Sequence, residues 1–122
     1  MTHWTVSDIP SQRGRTAVVT GTGGLGFQDA LALARAGANV IIAGRNPSKG
    51  RAAVDQIRQS VPGASVLFQA LDLASLDSIE AFADELRNSR DSLELLINNA
   101  GVMMPPKRQQ TEDGFELQFG TN

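Results

Sequence analysis

The 122-residue chain has no cysteine, no tyrosine and a single histidine, His3. Without thiols there is no disulfide frame, no cysteine nucleophile and no thiolate metal site. One histidine in a polar N-terminal stretch leaves neither a histidine dyad nor a zinc site to assemble, so no metal is expected. No apolar run nears the ~18 residues that span a bilayer. Residues 1–10 lack the basic and apolar regions of a signal peptide, which makes the cytoplasm the expected address. A formal net charge of −2 argues against the clustered basic surface of a nucleic-acid binder. Neither nucleic acid nor membrane is an expected partner.

What is present reads as one folded domain. The chain is 41% hydrophobic and 20% charged, which excludes disordered and fibrous classes. Residues 1–15 form an arm without periodic pattern. From residue 16 to 122, β-branched runs alternate with amphipathic stretches. Strands are expected at 16–20, 39–43, 65–70 and 93–97. Helices are expected from the glycine run to Ala36, from Asn46–Pro47 to near Pro62, and after Ser75 with Leu76, Ile79, Phe82, Ala83 and Leu86 on one face. A last short helix would be capped by Thr111. This alternation predicts an α/β fold, a doubly wound parallel sheet of Rossmann type with about four strands in the order 3-2-1-4 and flanking helices.

The strongest local signal is Gly21-Thr22-Gly23-Gly24-Leu25-Gly26, between a strand and a helix. It satisfies G-x-G-x-x-G, whose glycines let a pyrophosphate approach the free N–H groups of a helix start. A glycine-rich turn made only for strand–helix packing is the plainer alternative. After the second strand, where an acid often holds a ribose hydroxyl, stand Gly44, Arg45 and Asn46. A guanidinium there suits a 2′-phosphate and favours NADP over NAD, unless Arg45 is an ordinary solvated arginine. Lys49 could join the same positive field or simply face solvent. Asp72 could accept from an adenine amine or begin the turn before Ser75. Asn98-Asn99-Ala100-Gly101 follows the fourth strand, at the edge where such sheets bind ligands. Met103 and Met104 read as packing residues.

Together with Thr20, Leu73 and the closing segment 115–122, these motifs resemble the short-chain dehydrogenase/reductase family over residues 15–122. The style is similar to its NADP-dependent retinol dehydrogenase-like and bacterial oxidoreductase branch. The resemblance implies that Gly21, Gly24 and Gly26 shape a pyrophosphate turn and that Arg45, with Asn46, meets a 2′-phosphate. Asp72 and Leu73 would contact adenine. Asn98, Ala100 and Gly101 would flank ribose and nicotinamide, and Asn122 would correspond to the asparagine that anchors a water in the family's proton relay. Two departures stand out. The glycine loop has two residues, Thr22 and Gly23, where the family pattern has three. The serine and Tyr-x-x-x-Lys that carry the family's chemistry are not in these 122 residues.

The expectation is therefore a shortened chain, the NADP-binding half of an oxidoreductase, inactive by itself. Its fourth strand would be an apolar open edge prone to pair with a second copy. The alternatives are a non-catalytic dinucleotide-binding or self-associating module, and a decayed remnant.

Overall fold

The computed structural model describes residues 3–122; Met1 and Thr2, the first residues of the arm, lie outside the described residues. The rest of the arm carries one turn of 3-10 helix at Val6–Asp8 and then docks by the Gln12 N–H to the Ala36 carbonyl, 2.7 Å. Four strands follow: β1 (Thr16–Thr20), β2 (Asn39–Gly44), β3 (Val66–Ala70) and β4 (Leu95–Ile97). All pair in parallel, in the order β3-β2-β1-β4. The predicted architecture is the observed one.

Helices α1 (Gly24–Arg35) and α2 (Pro47–Ser60) cover one face of the sheet. Ala17 and Val19 of β1, Val40 and Ile42 of β2, and Val54 and Ile57 of α2 form its core. Helix α3 (Leu76–Ser89) lies on the other face. There Ile79, Phe82 and Leu86 pack over Val18, Ile41 and Ala43. The local signals work as read. Asn46 accepts the Lys49 N–H at 3.1 Å and Ser75 accepts the Ser78 N–H at 3.2 Å, each satisfying a donor that the first helical turn leaves free. Gly37, with φ 98°, turns the chain out of α1.

Several expectations change. Helix α1 begins at Gly24, inside the glycine run. Leu76, the first residue of α3, is exposed and does not join Ile79, Phe82 and Leu86 against the sheet. Strand β4 starts at Leu95, since Glu94 turns its carboxylate back to the Thr16 N–H at 2.6 Å. Thr111 does not cap the last helix, α4 (Leu117–Thr121). Glu116 does, accepting from the N–H groups of Gln118 and Phe119, while the Thr111 hydroxyl closes the preceding turn by accepting from the Phe115 N–H. Met103 and Met104 are exposed, not packed. Met104 is held in the left-handed region, φ 50°, where its N–H meets the Gln118 side chain.

Candidate functional site

Every strand of a parallel sheet points its carboxyl end to the same edge, and here that edge holds a cavity of about 410 Å³. Residues 20–22, 43–46, 71–74 and 100–102 line it, each group lying at or just past the end of one strand. Gln109, Leu117 and Thr121 close the remaining side. The chain passes from β1 to β2 on one side and from β3 back to β4 on the other. The cavity thus sits where strand order reverses, the place where open α/β sheets bind ligands. Its size is ordinary for a small-molecule site.

The centre of the site is built on Thr20. Its buried hydroxyl accepts from the N–H groups of Asn99, 3.1 Å, and Ala100, 3.0 Å, fastening the segment after β4 to the end of β1. Asn99 completes the join by donating from Nδ2 to the Thr20 carbonyl at 3.1 Å. That amide fills the space beside two glycines. A Cβ at Gly21 would lie 2.8 Å from Nδ2, and one at Gly26 would overlap the same amide. Gly21 also has φ 99°, a conformation that suits glycine. The sequence reading included Asn99 in the Asn98-Asn99-Ala100-Gly101 segment after the fourth strand but gave it no ligand contact of its own. The available signal was strand alternation: Asn99 continues the α1-facing side that Ile97 occupies, whereas Asn98 follows Leu96.

The glycine run divides between two cavities. Gly21 and Thr22 line the main one. Thr22 also borders, with Gly23 and Gly24, a shallower cavity of about 590 Å³ between α1 and α2. Leu25 points into solvent and belongs to neither, and Gly26 lies within α1 under Asn99. No side chain caps α1 at Gly23, so the N–H groups of its first turn are left for another acceptor.

Arg45 and Asn46 stand on the main cavity wall at the end of β2, both exposed. The Asn46 carbonyl oxygen is engaged in capping α2. Arg45 has no ion-pair partner among the described residues, whose one ion pair is Arg87–Asp84 on the outside of α3. Asp72 takes the turn role that was left open for it. It lines the cavity, and its Oδ1 accepts from the Ala74 N–H at 2.9 Å, ordering the turn before Ser75. Leu73, Ala100 and Gly101 line the cavity as well. Asn98 is exposed and outside it. Asn122 is outside it too, and its amide grips both backbone groups of Val102, accepting from the N–H at 2.7 Å and donating to the carbonyl at 2.8 Å. The Phe119 and Gln118 N–H groups hold the Glu116 carboxyl below the ordinary glutamate range. Sequence reading also passed over Leu71, Ala74, Gln109, Leu117 and Thr121, which only the folded chain brings to the wall.

The model of the short chain dehydrogenase family matches residues 15–122, and the chain belongs to that family. Among its relatives, human polyprenol dehydrogenase is 46% identical over 115 residues, covering 93% of this chain and 34% of the relative. A crystal structure of an uncharacterized protein from Mycobacterium paratuberculosis superposes with a TM-score of 0.84 at 44% identity, over 99% of this chain and 42% of that one. A metagenomic short-chain oxidoreductase, solved in complex with NADP, gives a TM-score of 0.70 at 33% identity, over 78% of this chain and 47% of that one. The chain spans about a third of the length of the curated relatives it matches. No helix among the described residues is long and apolar enough to cross a membrane.

Proposed function

We propose that this chain is the NADP(H)-binding part of a short-chain oxidoreductase that moves hydride between NADP(H) and an alcohol or carbonyl compound. The observation that carries the reading is Arg45, a cation without an ion-pair partner among the described residues, on the cavity wall at the end of β2. The cavity's fit to a dinucleotide is supported by Gly21, where a side chain would collide with Asn99, and by the uncapped start of α1.

In this reading the backbone of residues 21–26 (Gly21, Thr22, Gly23, Gly24, Leu25 and Gly26) receives the pyrophosphate. Arg45 takes the 2′-phosphate as a fork of N–H donors, with the Asn46 amide nitrogen beside it. The free Oδ2 of Asp72 faces the adenine amine, with Leu73 against the ring. Ala100 and Gly101 border the nicotinamide side, and Asn122 holds Val102 in place there. The bound dinucleotide supplies the hydride chemistry. The family's tyrosine acid–base group is not among these residues, so the 122-residue chain by itself should not turn over a substrate. A cytoplasmic address goes with this reading.

Titration calorimetry tests it. NADPH should bind more tightly than NADH, and Arg45→Ala should remove most of that preference. Equal loss for both dinucleotides on substitution would overturn the 2′-phosphate role. A second reading, a self-associating module, is favoured by Leu96, exposed on the β4 edge. Light scattering that shows a dimer, dispersed by Leu96→Lys, would support it.

A further inference from the structure

We propose that Asp113 is a positioning residue for the adenine end of the dinucleotide site, its carboxylate fastening the segment that closes the cavity onto the turn that forms the facing wall. The assignment rests on the NADP(H) reading above and extends it to a residue that lines neither cavity. Residues 109–117 double back as a short hairpin. The Thr111 N–H donates to the Phe115 carbonyl at 2.7 Å, and the Leu117 N–H to the Gln109 carbonyl at 2.8 Å. Gly114, φ 88°, makes the bend, and Thr111 is buried beneath it. The two ends of the hairpin, Gln109 and Leu117, stand on the cavity wall. Its tip reaches the far side. There the Glu112 N–H donates to the Ala74 carbonyl at 3.1 Å, and Asp113 Oδ2 accepts from the Leu76 N–H at 2.7 Å.

The turn from Asp72 to Leu76 satisfies its other donors close by. Asp72 accepts from the N–H groups of Ala74 and Ser75, and the Ser78 hydroxyl accepts from that of Asp72. The Leu76 N–H opens α3, where no carbonyl of the helix can reach it, and the Ser75 hydroxyl is engaged by the Ser78 N–H. Its acceptor comes instead from Asp113, 37 residues further along the chain. A carboxylate also suits the positive end of a helix. Residues 102–122, for their part, bond to one another: Asn122 to Val102, Gln118 to Met104, and the hairpin to itself. Among the described residues, the two hydrogen bonds at the hairpin tip are the only ones that join this segment to the rest of the fold. Glu112 makes its bond through the backbone, so Asp113 is the one side chain on which the join depends. Ala74 stands on the cavity wall beside Asp72 and Leu73, the residues assigned to adenine. Releasing the tip therefore loosens that wall and its roof together. A ligand that must first re-dock the hairpin loses apparent affinity by the docked fraction. The loss is the same for every ligand that carries adenine.

The test compares the wild-type chain with Asp113→Ala and Asp113→Asn. Each is titrated calorimetrically with NADPH, NADH and adenosine 2′,5′-bisphosphate, which has no nicotinamide, and amide hydrogen exchange is followed without ligand. Asp113 is exposed, so both variants should keep the wild-type circular dichroism spectrum. Asp113→Ala should speed exchange across residues 109–117 and weaken all three ligands by one common factor, about fivefold. Asp113→Asn keeps an oxygen acceptor for the Leu76 N–H and should return binding to within about twofold of wild type. An altered spectrum in Asp113→Ala, unchanged exchange, faster exchange with unchanged binding, or a loss for NADPH that spares the bisphosphate overturns the Asp113 assignment and leaves the NADP(H) reading standing. A wild-type chain that binds neither dinucleotide overturns both.

Discussion

Under α1 and α2, Ile42 and Ile57 are sealed from water, and the buried cluster reaches from β3 across to Ala17 and Val19. Under α3, register sets Leu67, Ile41, Val18 and Leu96 in one row across the sheet, and that row is buried only in its middle. Ile41 and Val18 are within 1% of full burial, whereas Leu67 is 38% and Leu96 54% exposed. No residue of α3 itself is fully buried. The difference follows from the winding of the chain. Right-handed crossovers that step from β1 to β2 to β3 place two helices on one face, and the single crossover back from β3 to β4 places one helix on the other. One helix, about 10 Å wide, cannot cover four strands spaced ~4.8 Å apart.

Substitutions can break this contrast. Ile57→Ala should have the largest effect, about 2–5 kcal/mol by chemical denaturation, because the residue is wholly enclosed and leaves a void. Phe82→Ala on α3 removes a larger but half-buried side chain, and should cost less, about 1–2 kcal/mol by the same measurement. If Phe82→Ala proves as damaging as Ile57→Ala, the α3 face is as tightly closed in solution as its opposite. Leu96→Ser, at the open end of the row, should change stability by less than about 0.5 kcal/mol; a larger loss would mean that something covers Leu96.

The smallest effect concerns the entry to β4. The Ser92 hydroxyl and the Thr16 N–H hold the Glu94 carboxyl below the ordinary glutamate range. A carboxyl whose folded value is depressed stabilises the fold above the unfolded value and loses that contribution as pH falls through the folded one. Glu94→Gln should therefore lose a little stability at pH 7 and flatten the acid limb below roughly pH 4. Melting curves taken between pH 7 and 3 would show it, and parallel limbs for variant and wild type would refute it.

These same two faces explain what the sequence made legible. The strands buried by α1 and α2 announce themselves as continuous apolar runs, and Asn46, Pro47 and Ser75 mark helix starts by chemistry that acts within four residues. Strand order follows from alternation and handedness, which are also local. The site was legible where a backbone rule governs it, as in the glycine run and Arg45. Gln109, Leu117 and Thr121 were not, because each reaches the cavity wall only through the folding of the segment after β4 back onto it. Leu76 and the methionine pair misled for a related reason: periodicity marks a side, and only the folded neighbours decide whether that side is covered.

Gly26 and Asn99 illustrate how such distant positions constrain one another. The amide of Asn99 occupies the room a methyl group at residue 26 would take, so the two positions share a single allowance of volume. Alanine at 26 becomes admissible only if residue 99 shrinks, and shrinking residue 99 surrenders the amide that ties β4 to β1. Neither exchange is harmless alone, so an engineer reshaping this loop must treat the two positions as one choice.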